Sequence, residues 1–262
     1  MKKSINIEDR IIPLSFFSFL VLIWEIVARF EVVPTYILPA PTKIIKTLFL
    51  NLPILKEHII VTTMEALVGF VIAIIFAITI CIIMDSIPIV KTTIYPLIIT
   101  SQTVPIITIA PLFAIWFGFG YFPKIIIVVL VCFFPITISL LEGLSSVEED
   151  LLNLIKSMGA TKLQLYKMVK LPAALPSFFS GLKISATYSI MGATIGEWVG
   201  GKNGLGVYML RVKHSFATDK VFAAIIIITL LSIGMLKIIS FIEKRSMPWI
   251  YNQNQNERIW EE

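Results

Sequence analysis

The residue types that could perform acid–base or metal chemistry are few in this chain and are not grouped. The 262 residues include two histidines, His58 and His214, and neither belongs to an HExxH motif or lies beside paired carboxylates. The two cysteines, Cys81 and Cys132, stand inside apolar runs, where packing explains them better than a disulfide or a metal site. No GxxxxGK[ST] loop is present, so the chain cannot hydrolyse ATP itself. The sequence therefore predicts a protein without catalytic residues and without a metal site.

Polar residues inside the long apolar runs are a second place where chemistry could reside. At membrane depth such side chains are costly unless they face a cavity or a partner helix. Hydrogen bonding between helices explains serine and threonine equally well. We expect two triplets to line a central pathway: Ser101, Gln102 and Thr103, and Thr187, Tyr188 and Ser189.

Glu197 and Trp198 stand at the end of an apolar run, directly before a segment that contains Gly200, Gly201, Gly204 and Gly206. The free N–H groups of such a loop need acceptors, and the Glu197 carboxylate can supply one. We expect Glu197 to hold the loop over the mouth of the pathway as an outer gate. The alternative is an interfacial anchor, with Trp198 at the lipid headgroups and Glu197 in water.

The composition indicates the surroundings in which these residues act. The chain is 57% hydrophobic and 15% charged, and its mean hydropathy is +0.89. This much apolar surface exceeds the core of a soluble domain, so an integral membrane protein is predicted. The net charge of +5 is scattered along the chain, which suits anionic lipid better than nucleic acid.

The predicted architecture is an all-α, polytopic membrane protein with a single domain over residues 1–262. A membrane helix needs ~20 apolar residues to cross a ~30 Å hydrocarbon core. The N-terminal run has no cleavage site, the third span is expected to be kinked by its prolines, and the tail 243–262 is expected to fray. Between the first two spans, residues 42–58 are expected to lie at the membrane interface. Six spans are predicted: 11–28, 66–84, 94–118, 125–141, 178–199 and 221–242.

The polar stretch 146–172 interrupts the apolar sequence and is predicted to form two short helices. Ser146 with Glu149 fits a capping box, in which the hydroxyl accepts from a first-turn N–H group and the carboxylate reaches back. Thr161 with Gln164 offers a second box, and apolar residues recur at helical spacing after each. Such helices are too amphipathic to span a bilayer and too apolar to stand free in water. We therefore expect them to bind a partner surface.

Gly159 and Ala160 are expected to form the bend between these helices, because glycine adopts a left-handed conformation at little cost. Pro172 is expected to end the unit. Exposed ion pairs contribute only ~0–1 kcal/mol, so single changes should matter little at three lysines that we expect to be solvated: Lys162, Lys167 and Lys170.

The spacing within 146–172 resembles the cytoplasmic EAA loop of bacterial ABC importer permeases, whose pattern is EAA, three residues, G, nine residues, I-x-L-P. Gly159 is followed by nine residues and then VKLP, while NLI occupies the EAA positions at 153–155. Four further segments are similar to permeases for nitrate, sulfonates, taurine and thiamine-pyrimidine precursors: LPAP at 38–41, SQTVPIITIAPLFAIWFGFG at 101–120, GEWVGGKNGLGVYM at 196–209 and MPW at 247–249.

The resemblance implies a type I ABC importer permease in the bacterial cytoplasmic membrane. It further implies two ATPase subunits that bind ATP and Mg, a second copy of the permease and an extracytoplasmic solute-binding protein. A channel or a structural membrane subunit without ATPase coupling is the alternative. The solute is left open among sulfonate, taurine, nitrate, an amino acid and a pyrimidine precursor. The residues that the resemblance assigns to the ATPase-coupling loop are Glu149, Asn153, Met158, Gly159, Ala160, Thr161, Leu171 and Pro172.

Overall fold

The computed structural model describes residues 7–249, with side chains from residue 12 onward. The basic N-terminus and the end of the polar tail lie outside the described residues. Within the described part every regular element is helical, so the all-α prediction is confirmed. The helices are α1 (Ile7–Arg29), α2 (Pro41–Ser86), α3 (Pro88–Ser101), α4 (Ile106–Phe117), α5 (Tyr121–Ser145), α6 (Glu149–Ser157), α7 (Lys162–Leu165), α8 (Leu171–Val199), α9 (Leu205–His214) and α10 (Thr218–Ser246), with a π-helical turn (Tyr166–Lys170) between α7 and α8.

Helices α5 and α8 form the centre of the fold because small residues let their backbones approach closely. A Cβ added at Gly143 would lie 2.9 Å from the Ala174 Cα, and one added at Gly181 would lie 2.8 Å from the Pro135 carbonyl oxygen. A hydrogen bond also crosses this contact. The Ser185 hydroxyl donates to the Cys132 carbonyl at 2.9 Å.

Helix α2 differs from the prediction, because 42–58 is not a separate interfacial segment. A single helix of 46 residues continues through Pro53 into the apolar run, and at 1.5 Å per residue it is ~69 Å long. Its N-terminal part buries Leu55 and His58 in contacts with α9 and α10. Part of the apolar pattern of this segment therefore reflects packing against protein.

The third predicted span is broken, as expected from its prolines. Helices α3 and α4 meet at an angle of 99°, and Pro105 is the N-cap residue of α4. Four described helices, namely α1, α2, α5 and α10, are long and apolar enough to cross a membrane, and the bent pair brings the number to five at most.

Helix α8 is absent from that set, although the fifth of the six spans was predicted at 178–199. Its mean hydropathy is low because it contains many small and polar residues. These residues face α5. Near its start Lys170 is bonded to Asp85 of α2, and near its end Glu197 is bonded to Thr62 of α2. Thr62 and Asp85 are ~35 Å apart along α2, close to the ~30 Å of the hydrocarbon core. Helix α8 therefore covers the same depth as α2 does between Thr62 and Asp85, and the count of six spans stays a prediction.

Replacing Gly181 tests whether close approach holds α5 and α8 together. Gly181→Ile places a branched side chain against the Pro135 carbonyl, and overpacking of this kind typically costs ~1–3 kcal/mol. We expect a lower thermal midpoint and a smaller monodisperse fraction in detergent. The control is Gly234→Ala in α10, where an added Cβ meets nothing within 4 Å and alanine favours a helix by ~0.5–1 kcal/mol. Equal midpoints for the two variants would contradict the close-packing account.

Candidate functional site

The first capping box of the polar stretch is wrong. The Ser146 hydroxyl donates to the Gly143 carbonyl at 2.8 Å and ends α5. Helix α6 begins at Glu149 after the N-cap residue Glu148, without a side-chain cap. The cause is the length of α5, which continues beyond the predicted span and uses Ser146 at its own C-terminus.

The bend and the second capping box are confirmed. Gly159 has φ +88° and an added Cβ would meet nothing within 4 Å, so only its backbone conformation requires glycine. The Gln164 side chain accepts from the Thr161 N–H at 2.8 Å, and the Gln164 N–H donates to the Thr161 hydroxyl at 3.3 Å. Helix α7 therefore starts where the sequence predicted it.

Pro172 does not end the unit, contrary to the prediction. Helix α7 continues through the π-helical turn into α8, and Pro172 is the second residue of α8. A proline lacks an N–H group and its ring clashes with the carbonyl four residues earlier; a wide π turn at that point accommodates both. The polar stretch is thus directly continuous with the central helix.

The two short helices leave an apolar face uncovered by the rest of the chain. Met158 is 79% exposed and Met168 is 75% exposed, and Leu154 and Leu163 are exposed beside them. Among the residues that the resemblance assigned, Ala160 and Pro172 are half-buried and the others are exposed: Glu149, Asn153, Met158, Gly159, Thr161 and Leu171. The stretch therefore presents the kind of surface that a protein partner covers.

Lys170 is not solvated, which corrects the expectation for this lysine. Its ammonium lies 2.8 Å from both carboxylate oxygens of Asp85, while Lys162 and Lys167 are exposed as expected. Burial, with the charge of Asp85 as the next cause, raises the pKa of the neighbouring Tyr166 phenol. The start of α8 is thereby tied to the end of α2.

The two polar triplets do not behave as one group. Ser101, Gln102 and Thr103 are exposed at the break between α3 and α4. On α8, Tyr188 is exposed and Thr187 is half-buried, but Ser189 is fully buried and donates to the carbonyl of Ala186. Ser189 therefore cannot line an open pathway in this conformation, and a lining role for the other five residues stays a prediction.

Helices α2 and α8 together hold the glycine-rich loop through three consecutive backbone N–H groups at the start of α9. The Gly204 N–H donates to the Nδ1 atom of His58 at 2.9 Å, and the Leu205 N–H donates to the Thr62 hydroxyl at 2.8 Å. The Gly206 N–H donates to a Glu197 carboxylate oxygen at 2.6 Å, which is the hydrogen bond that the sequence led us to expect. These first-turn donors have no acceptor within their own helix.

The glycines of this loop are required by close contacts. A Cβ at Gly204, whose φ is +129°, would lie 2.1 Å from the Glu197 carboxyl carbon, and a Cβ at Gly206 would lie 2.5 Å from the Thr194 carbonyl oxygen. A Cβ at Gly200 would lie 2.2 Å from the Phe119 ring. The loop can therefore sit on α8 only with glycine at these positions.

Two buried charges beside Glu197 were missed by sequence reasoning. Glu65 and Lys124 are 2% and 3% exposed, and their carboxylate oxygen and ammonium lie 2.8 Å apart. Glu197 is 1% exposed, so an anchor with Glu197 in water is wrong. One signal in the sequence could have indicated this pair. Glu65 and Lys124 carry opposite charges and each stands at the end of an apolar run, so they can pair when the two helices pack antiparallel.

The comparisons with known proteins define the class of this chain. Residues 69–247 match the family described as the binding-protein-dependent transport system inner membrane component, and the chain belongs to that family. The fold is also that of a solved structure of the methionine ABC transporter MetNI in an inward-facing conformation. The TM-score is 0.52 at 19% identity, over 75% of this chain and 94% of the other.

Two curated relatives are similar over most of their length. The formylaminopyrimidine transport permease protein ThiX of Halalkalibacterium halodurans is 37% identical over 90% of this chain and 95% of its own. The taurine transport system permease protein TauC of Escherichia coli is 28% identical over 88% of this chain and 86% of its own.

These findings place the chain among permease subunits of type I ABC importers, as multi-pass proteins of the bacterial cytoplasmic membrane. Such subunits transport and are not enzymes. A channel or a structural subunit without ATPase coupling is not favoured. The family also implies ATPase subunits and a solute-binding protein as partners.

Gly159 provides a test of the bend, because its surroundings are open. Gly159→Val forces a β-branched residue into a left-handed conformation at a cost of ~1–2 kcal/mol, a factor of ~5–30 in a conformational equilibrium. We expect a several-fold loss of ATPase-subunit copurification and of stimulated ATPase activity, with normal membrane insertion. Gly159→Asn is the matched control, since asparagine tolerates this region better, and should lose less. Equal losses in both variants would point to side-chain volume instead.

Proposed function

We propose that the docking unit of this permease, which comprises α6, α7 and the π-helical turn over residues 149–170, docks in a cleft of a cytoplasmic ATPase subunit. Its uncovered apolar face, carried by Met158 and Met168 at its most exposed points, supports this assignment. In the proposal ATP and Mg are bound by two ATPase subunits, and this chain holds neither. Closure of the ATPase dimer would move α6 and α7.

The continuity of α7 with α8 supports direct transmission of that movement. No flexible loop separates the docking unit from the central helix, and the Lys170–Asp85 ion pair carries the movement to α2 as well. At the proposed inner end of the transporter, the docking unit is thus connected directly to both α8 and α2.

A second copy of this chain is proposed to complete the pathway. Helix α8 is central in the fold, yet one of its faces is left uncovered and includes Ile184, Tyr188, Met191 and Trp198. These residues recur at helical spacing, which is typical of a face that another helix or a lined pathway covers. A homodimer would set two such faces opposite each other.

The outer gate is proposed to be the glycine-rich loop, held shut by its bonds to His58, Thr62 and Glu197. A solute-binding protein that docks outside would reorganise these bonds. The three acceptors lie on α2 and α8, the same helices that the docking unit moves, so both events act on one pair of helices.

The solute proposed for this importer is a formylaminopyrimidine or a closely related pyrimidine. The support is the greater identity to ThiX, 37% against 28% for TauC, over similar shares of the chain. Taurine or another sulfonate is the second candidate, and its support is the similarity to TauC.

Glu197→Leu tests the gate, because leucine keeps the volume and removes both acceptor oxygens. In this variant the buried Gly206 N–H has no acceptor, and an unsatisfied buried donor costs ~1–3 kcal/mol. We expect higher basal ATPase activity and less stimulation by the binding protein in reconstituted vesicles. The control is Glu57→Leu, an exposed residue that bonds Asn203 of the same loop from outside. Unchanged basal and stimulated rates in Glu197→Leu would refute the gate.

Uptake by vesicles containing the full importer and its binding protein tests the solute. We expect saturable, ATP-dependent uptake of labelled formylaminopyrimidine that an excess of unlabelled compound abolishes and an equal excess of taurine does not. Omitting the binding protein is the control. Uptake of taurine with no uptake of the pyrimidine would replace the proposed solute by the second candidate.

A further inference from the structure

Three ionisable side chains form a closed cluster beneath the glycine-rich loop. Glu65 on α2, Lys124 on α5 and Glu197 on α8 are each at least 97% buried. Lys124 bonds one oxygen of Glu65 at 2.8 Å, and Glu65 lies about one turn of α2 beyond Thr62, whose hydroxyl bonds Glu197 at 2.6 Å. The cluster therefore contains two acids and one ammonium.

No second cation balances the cluster among the described residues around it. His58 of α2 accepts an N–H bond at Nδ1, so its imidazole is neutral. Arg211 of α9 is exposed and donates to the Lys202 carbonyl. Lys183 of α8 pairs with Glu243, and other lysines of the packed helices, Lys56 on α2, Lys213 on α9 and Lys220 on α10, make no ion pair with Glu65 or Glu197 within the described residues. The nearby Glu57, Tyr208 and Asp219 add no positive charge. A buried carboxylate without a counter-charge costs several kcal/mol.

The hydrogen bonds also lack one donor. The second oxygen of Glu65 is buried without a hydrogen-bond partner. The Thr62 hydroxyl has one hydrogen, yet it lies within bonding distance of two acceptors, the His58 carbonyl at 3.0 Å and a Glu197 oxygen at 2.6 Å. A single proton on either carboxyl supplies the missing donor and removes the uncompensated charge.

The geometry points to a proton-binding site formed by Glu65 and Glu197, which holds one proton at neutral pH while Lys124 balances the remaining carboxylate. Two carboxyl groups buried beside each other with a single cation cannot both ionise without strong repulsion. The proton therefore holds together the acceptors to which the glycine-rich loop is bonded. This site depends only on the packing of the chain and not on the solute.

A cavity of about 300 Å³ gives the cluster a route to the outside. Lys124 lines it together with Tyr121, the exposed Lys202 and the half-buried Asn203 of the loop. Water in this cavity can exchange a proton with the cluster through small movements of Lys124. The outer solution therefore sets the protonation of the site.

Infrared spectroscopy of the full-length purified permease in lipid nanodiscs tests the site. A protonated carboxyl has a carbonyl stretch separate from that of a carboxylate, and this band shifts in heavy water. We expect one such band at neutral pH that weakens as the pH rises. Either Glu65→Gln or Glu197→Gln should abolish it, because each leaves one acid paired with one ammonium.

The matched control is Glu243→Gln, which removes another buried acid that lies 2.5 Å from its own partner, Lys183. The band should be unchanged in this variant. In Glu65→Gln combined with Lys124→Met, the remaining Glu197 has no cation, and the band should return. Absence of the band from the wild type, as when a bound cation replaces the proton, would overturn the site. Its survival in either single glutamine variant would do the same.

Discussion

Three backbone N–H groups at the start of α9 have no acceptor in their own helix, and the surrounding part of the molecule is arranged to supply acceptors. In an apolar surrounding each unsatisfied donor costs several kcal/mol. Acceptors come from His58 and Thr62 on α2 and from Glu197 on α8. Because Glu197 must be buried to reach the loop, Glu65 and Lys124 are buried with it. The glycines follow from the same requirement, since any side chain would hold the backbone away from its acceptors.

Local signals in the sequence predicted local structure well. The capping box at Thr161 and the bend at Gly159 are confirmed because each depends on residues within a few positions of one another. The box at Ser146 failed because its use was decided by the length of α5. Pro172 was misread for a related reason: a proline ends a regular α-helix, but a preceding π turn removes the clash.

Contacts between distant parts of the chain could be predicted only in part. The bond from Glu197 to its loop was predictable because nine residues separate donor and acceptor. The Glu65–Lys124 pair spans 59 residues and the Thr62–Glu197 bond spans 135, and no pattern within one segment indicates either. The mean hydropathy of α8 is low because a helix surrounded by protein can carry small and polar residues that a lipid-facing helix cannot. The hydropathy signal was therefore weakest for the helix at the centre of the fold.

The two bonds that join α2 to α8 have a mechanical consequence. Lys170–Asp85 and Thr62–Glu197 fasten the helices at two points ~35 Å apart along α2, so neither helix can slide along the other without breaking one of them. We therefore expect α2 and α8 to tilt together as one rigid unit. A tilt of ~10° about one fastening moves the other by ~6 Å, about one helical turn. A small rotation at one membrane face therefore becomes a displacement the size of a small solute at the opposite face.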